Sequence, residues 1–522
     1  MLSPVFLFFG KNGNKDRLYF LFKMIDFIAI IKHDKVITRR GEVKMSLFSE
    51  KLKLYIEVSS QTIYQLSKKA EVNRTVIHKT ISGERVPGND FLEKLYGALM
   101  LSPEEKRELR RLAERARVGE KVYRRREKVK EVIEALNDNP LYNPAYGFEN
   151  RSFPAVPKTK TGLQIIQGRK SIERQVMALL GDVFYNSEKP GLALFMPFQE
   201  KYLYELLYNF YITCDKEIQL LNLIAIEKDY KEDSACLRNL ERLSSVLLFS
   251  LTEKKGYRPY YYYTNGDHPY EEGVSMPYFI KTDKQVMTLS PDFETAFVYD
   301  GEDSYKYFSD KIDQFYQKAE LLTVYGESIP EMFGWSFISN YEEIIEPAPC
   351  MAKFFTNERI DCFLRKDIPM REELYHIGCT YYTHVREDLG IPFSMFSFDG
   401  LIAFMNSGIL PTLPTYVTRP LNMEERQEML EAIIKNAKSE AKPYIAINRK
   451  AFKVPVDLEI IKVSDQEIAI RRFNERGDEL TTLFLHEAGL VDAFTDFMDY
   501  LKTSELVYDQ ETMVAMMEEL RK

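Results

Sequence analysis

Cysteine is scarce in this chain. Its five cysteines (Cys214, Cys236, Cys350, Cys362, Cys379) are odd in number and include no C-x-x-C pair, which argues against a disulfide scaffold or a zinc ribbon and fits a reducing cytoplasm. Long apolar runs are also missing. The N-terminal candidates are interrupted by Lys11, Lys15, Asp16, Arg17, Lys23 and Asp26, short of the roughly 18 uninterrupted apolar residues that a membrane crossing takes. No small-residue cleavage site follows a single apolar core in residues 1–44, so a signal peptide is not expected. Walker, G-x-G-x-x-G, G-x-S-x-G and H-E-x-x-H signatures are absent, leaving the motif-marked enzyme classes without support. No catalytic residue and no cofactor is assigned. Cys362, His376, Cys379 and His384 could supply four metal ligands, with His376-x-x-Cys379 close enough to share an ion; buried cysteines and satisfied histidines are the commoner outcome, so no metal is assigned either.

What is present describes a globular chain. It has 522 residues, 45% of them hydrophobic, with 71 Lys and Arg against 79 Asp and Glu; at about 150 residues per domain, two to four domains follow. The charge is steeply divided: residues 1–44 carry +5, residues 45–130 carry +8 and residues 131–522 carry −21. A small basic module beside a large acidic one suits a polyanionic partner for the first, although a solvated charge run gives the same count. Residues 1–44 read as a non-native or poorly ordered extension. The stretch Arg39-Arg40-Gly41-Glu42-Val43-Lys44 resembles a translated purine-rich ribosome site, which makes Met45 the expected natural start.

From Met45 the pattern becomes short helices with clear punctuation. Phe48, Leu52 and Ile56 mark one amphipathic helix. Ser59 or Ser60 is expected to cap a second, carrying Ile63, Leu66 and Ala70. After a turn at Glu71 to Asn73, Asn73 caps a third helix through Thr75, Ile77 and Ile81, which ends near Gly83 and cannot pass Pro87. Asp90 is expected to cap a fourth helix with Phe91, Leu95 and Leu99 inward. Ser102-Pro103-Glu104-Glu105 is a capping box with proline at the first helical position, opening a fifth through Leu109 and Leu112.

The run from Gln61 to Lys79 (QTIYQLSKKAEVNRTVIHK), with Gly83 and Pro87 at their spacing, resembles the Cro and phage-repressor helix-turn-helix family, the XRE family, over about Phe48 to Leu109. Glu71 stands where the family turn often has Gly, Ser67 where it prefers Ala, and Ile81 where Glu is frequent. The resemblance implies a DNA-binding domain over 45–118 and a recognition helix capped by Asn73. On it Arg74 and Thr75 would reach base edges, Arg74 in bidentate fashion with guanine. Gln61 and Thr62 would position the preceding helix on the backbone, and Lys79, Ser82 and Arg85 would contact phosphates. Without the family name, a helix of about eight residues presenting Arg74, Thr75, His78 and Lys79 outward has the width and polarity of a major-groove reader. The family also implies a homodimer on a two-fold site in double-stranded DNA. A further basic run, from Arg107 to Lys130, either follows the DNA backbone or, beyond Lys121, forms a solvated helix; with a proline-rich stretch to Pro157 it makes the expected linker, residues 119–157.

The acidic remainder reads as mixed α/β, divided into 158–325 and 326–522. Gly191 to Pro197 and Ile218 to Ile226 read as buried strands, Tyr202 to Ile212 as a helix, and Pro277 to Ser290 with Thr295 to Tyr299 as a hairpin leading to a helix from about Tyr305 to Ala319. Two segments recur: Ile280 to Val286 matches Ile461 to Ile468, and Phe308 to Asp313 matches Phe494 to Asp499. Two related halves, or chance likeness between amphipathic segments, explain this equally. Strands followed by a helix with an aromatic face resemble the phospholipase D-like domains that serve as sensors in some regulators. That superfamily's chemistry needs His-x-Lys in each half; His268, His376, His384 and His486, the histidines of this region, have no lysine two positions on, so an inactive version is implied. Tyr257 and Tyr260 to Tyr263 beside Arg258 suit either a stacking pocket or an aromatic edge strand.

The expected function is a cytoplasmic, sequence-specific DNA-binding transcriptional regulator, not an enzyme. Its large C-terminal region would sense a small molecule or a protein, or mediate assembly. A DNA-localised enzyme of unknown class and an interaction scaffold of a mobile element share the same features.

Overall fold

The structure is a computed structural model that describes residues 46–142, 153, 156, 159, 161–228, 233–264, 276–326, 343–389, 393–411, 413–473 and 480–521. The extension 1–44, the expected start at Met45 and most of the proline-rich stretch to Pro157 lie outside them. An all-α N-terminal region precedes a larger mixed α/β region, and the chain separates into two compact units after Gly119. Gly119 ends its helix at φ +85°, a conformation that costs glycine nothing and other residues a clash.

Five helices build the smaller unit: α1 (Leu47–Val58), α2 (Ile63–Lys69), α3 (Arg74–Ile81), α4 (Asn89–Ala98) and α5 (Pro103–Val118). Phe48, Leu52, Leu66, Ile77, Leu95, Tyr96 and Leu109 meet in one core and are at most 1% exposed. The capping box at Ser102 and Glu105 forms as the sequence indicates. Two expected caps are corrected. The second helix is capped by Thr62, whose hydroxyl accepts from the Gln65 amide while the Gln65 side chain accepts from the Thr62 amide. Ser60 cannot act there because it stands at φ +55° in the preceding turn. The fourth helix is capped by the backbone of Gly88, which leaves Asp90 inside the first turn, where a carboxylate still favours the helix dipole.

The larger unit opens with α6 (Glu120–Asp138) and contains two sheets. The first is formed by β1 (Leu163–Gln167), β2 (Gly191–Phe195), β3 (Gln219–Glu227), β4 (Tyr257–Thr264), β5 (Tyr278–Lys281), β6 (Val286–Leu289), β7 (Thr295–Tyr299) and β8 (Glu320–Leu321), in the order β1-β7-β6-β5-β2-β3-β4-β8. Its parallel centre is β2, β3 and β4; β5, β6 and β7 form an antiparallel meander on the other side of β2. The second sheet is formed by β9 (Thr323–Tyr325), β10 (Glu343–Glu346), β11 (Phe393–Ser397), β12 (Tyr444–Ile447), β13 (Leu458–Ser464), β14 (Glu467–Phe473) and β15 (Leu480–Leu485). Its order, β9-β15-β14-β13-β10-β11-β12, repeats the first sheet strand for strand, with the same parallel centre and the same meander. Even the last antiparallel partner recurs, β8 on β4 and Val507 on Ile447.

The recurring sequence segments occupy matching places in this duplication. They form the β5–β6 and β13–β14 hairpins, and the helices after the meanders, α10 (Glu302–Tyr316) and α15 (Ala488–Leu501). Both hairpin turns start with a hydroxyl, Thr282 or Ser464, that accepts from backbone amides two residues on. The change of sheet falls between Leu321 and Thr323, slightly ahead of the expected boundary after 325. One apolar cluster draws on both sheets, and the second half has a further cluster of its own around Phe396, Leu401 and Tyr444.

Helix α6 departs from the expected solvated linker. Val129, Val132, Ile133 and Leu136 fall at helical spacing and are at most 2% exposed, packed in the core with α15 and α9 (Asp233–Ser250). Its cations are engaged within the same unit: Arg125 with Asp492 at 2.8 Å, Arg126 with Asp496 at 3.0 Å, Lys128 with Glu241 at 2.9 Å. These residues therefore do not form a free track for a polyanion. Burial alone pushes the Asp496 carboxyl up, but Arg126 and Arg125 outweigh it and hold it below the usual aspartate value. A lowered folded-state value contributes stability above the unfolded pKa, near 4, and loses it as pH falls through the folded one. Asp496→Asn should therefore cost about 1.5–3 kcal/mol at pH 7 in urea unfolding of the full chain, and the difference from the parent should begin to shrink as pH falls below about 4 and close only below the folded-state value.

Candidate nucleic-acid interface

Helix α3 is eight residues long, too short to persist alone, and its underside holds it in place. Ile77 is fully buried. The Ser49 hydroxyl of α1 donates to the Thr80 carbonyl at 2.7 Å, and Thr80 donates to the Val76 carbonyl at 2.8 Å. At its start the Asn73 side chain accepts from the Thr75 amide at 2.8 Å. Gly83 follows its end at φ +82°. Helix α2 is fixed in turn by Leu66 in the core and by Lys69, whose ammonium donates to the Ala98 carbonyl at 2.7 Å.

The three departures from the family pattern are each accommodated. Glu71 adopts φ +53° at the turn where glycine is usual, a left-handed backbone that an exposed polar residue tolerates at modest cost. Ser67 is small enough to be buried against the core, and its hydroxyl donates to the Tyr64 carbonyl at 2.9 Å. Ile81 lies half-buried and packs on the same core.

The clamp turns one row of side chains outward. Arg74, Thr75, His78 and Lys79 are all exposed, and Arg85 follows on the next turn. Among the described residues no side-chain hydrogen bond or ion pair engages Arg74, His78, Lys79 or Arg85. The other predicted residues are partly occupied. Asn73 spends its side-chain oxygen on the cap. The Ser82 hydroxyl donates to the Lys79 carbonyl at 3.1 Å and lies 3.0 Å from Glu84. Thr62 is committed to its capping box, and Gln61 is half-exposed just before it. Sequence reasoning missed Tyr64, 57% exposed on α2, with the Lys68 ammonium 6.0 Å from its ring; their i, i+4 spacing on the face away from Leu66 was the available signal.

The basic run that follows in the chain is engaged in part. Arg110 pairs with Glu93 through two bonds of 2.6 and 2.7 Å, and Arg117 binds Glu114 and the Pro87 carbonyl. These ties brace α5 against α4 and its approach. Elsewhere, Cys362 accepts from Arg419 at 3.0 Å, and among the described residues no three His, Cys, Asp or Glu side chains converge to hold a metal ion. In the tyrosine run, Tyr257 and Tyr261 are buried and Tyr263 is exposed; the Tyr261 and Tyr263 hydroxyls donate to Glu320 and Glu487. Among the described residues no helix is long and apolar enough to cross a membrane.

If Asn73 shapes the helix and Arg74 faces solvent, the two neighbours respond differently to truncation. Asn73→Ala should lower full-chain stability by about 1 kcal/mol, whereas Arg74→Ala should stay within about 0.5 kcal/mol, both read by chemical denaturation. No family model and no curated protein sequence matches the chain. Among the solved structures similar to it is that of TrmBL2, described as an archaeal chromatin protein with a novel mode of DNA binding. It is 15% identical, covers 57% of this chain and 98% of its own, and has a TM-score of 0.23, too low an agreement to bear on fold or function.

Proposed function

We propose that the chain is a sequence-specific transcriptional regulator that reads double-stranded DNA as a homodimer through the exposed face of α3. The observation that carries this reading is the row Arg74, Thr75, His78 and Lys79, turned outward by a buried Ile77. Such a helix enters the major groove with its N-terminal side chains nearest the base edges. The cap at Asn73 orients Arg74 and Thr75 at that end. Arg74 supplies a planar bidentate donor for guanine, while Lys79 and Arg85 supply charge for phosphates without choosing sequence. One short helix specifies few base pairs, so a dimer on two half-sites gives useful selectivity. The larger unit would sense a ligand or assemble the regulator in the cytoplasm, without catalysing a reaction and with no cofactor required.

Binding of the full chain to a selected duplex, titrated with salt, tests this. Arg74→Ala should relax base preference by about 1–3 kcal/mol, whereas Lys79→Ala should weaken all sequences alike and reduce the salt slope by about 1. Equal affinity for every duplex, or none, would refute it.

A further inference from the structure

At the carboxyl end of β10 the second sheet encloses a cavity of about 50 Å³ whose lining includes Glu346, Tyr381, Tyr382, Leu410, Glu459 and Arg471. The carboxyl ends of parallel strands are where open α/β sheets hold ligands. Glu346 closes β10 and Glu459 lies on β13, one step beyond the Ile345–Ile460 pair. Both are almost fully buried, 2% and 1% exposed, and Arg471 is 5% exposed.

The polar groups of this cavity are incompletely matched. Arg471 donates to one oxygen of Glu459, and the Ser394 hydroxyl donates to Glu346. The other oxygen of Glu459, Oε1, is buried and accepts no hydrogen bond. Two carboxyl groups face one guanidinium, so a second negative charge there is costly and is held off by a proton until a further cation is bound. Burial, with Glu459 alongside, pushes the Glu346 carboxyl well above its usual range.

The surroundings select among cations. Among the described residues no three His, Cys, Asp or Glu side chains are placed for a metal, and hard cations take six or more oxygens. Phe355 and Tyr381 flank Tyr382, with ring centroids at 4.8 and 5.0 Å from it, and aromatic walls favour organic cations. At roughly 10–15 Å³ for each water-sized group, the space admits about three to five non-hydrogen atoms. The matching place in the first sheet, at the ends of β2 and β3, has a cavity of about 30 Å³ lined by Tyr204, Asn222 and Arg242 but by no carboxylate. The duplication keeps the cavity and changes its charge.

We propose that the cavity of the second sheet binds the head of a small primary amine, with the ammonium between Glu346 and Glu459 and the carbon chain against Tyr382 and Leu410. This holds whether or not the helical unit binds DNA. Thermal unfolding and calorimetry of the full chain with propylammonium chloride, potassium chloride and propanol test it. The amine alone should raise the unfolding temperature by about 2–4 °C near saturation, and Glu346→Gln, which leaves the Arg471–Glu459 pair intact, should weaken its binding at least tenfold. No shift with the amine, an equal shift with propanol or potassium, or a folded Glu346→Gln protein that binds as tightly as the parent would overturn the proposal. The comparison of the three solutes on the unaltered chain decides the matter even if the variant does not fold.

Discussion

The burial of Ile77 is the contact on which the recognition surface depends. An eight-residue helix gains little from its own hydrogen bonds, so its orientation comes from what lies beneath it. With Ile77 in the core and the Thr80 carbonyl held by Ser49, the helix has one way to sit, and that way leaves Arg74, Thr75, His78 and Lys79 in solvent. A leucine-sized deletion at such a site typically costs 2–5 kcal/mol, far more than any exposed side chain on the opposite face supplies. Shape is fixed from below and chemistry is displayed above.

The larger unit rests on a different constraint. Its two sheets share a strand order, yet they also share a core, so each half buries surface that the other needs covered. Helix α6 belongs to the same economy of apolar surface: Val129, Val132, Ile133 and Leu136 are consumed in packing, and its cations meet Asp492, Asp496 and Glu241. The steep charge division along the sequence is thus partly internal. Basic residues beyond Gly119 neutralise the acidic unit they are packed in, while those on α3 remain outward.

Much of the helical unit was legible because its signals are local. The Asn73 cap, the Ser102–Glu105 box and the spacing of Phe48, Leu52 and Ile56 act within a few residues and appear as expected. The second helix starts at Thr62 and not at the serines before it because Thr62 and Gln65 form a reciprocal box, while Ser60 is taken by the turn. Helix α6 is not legible as a packed helix because a run rich in Arg and Lys gives no sequence sign that Arg125 and Arg126 will be paired by residues more than 360 positions away. The duplicated halves left a faint trace at Thr282 and Ser464, where turn chemistry restricts the choice, and little where any apolar residue fills the core. The acidic cavity was invisible for the same reason: Glu346, Glu459 and Arg471 meet only through strand register.

The outward row on α3 is the centre of the functional reading, and a selection from random duplexes with the full chain examines it without altering a residue. Enrichment of one motif with two symmetric half-sites whose centres lie about one helical turn, or a whole number of turns, apart is the expected result. Recovery of unrelated sequences at equal frequency, or of none, would contradict it.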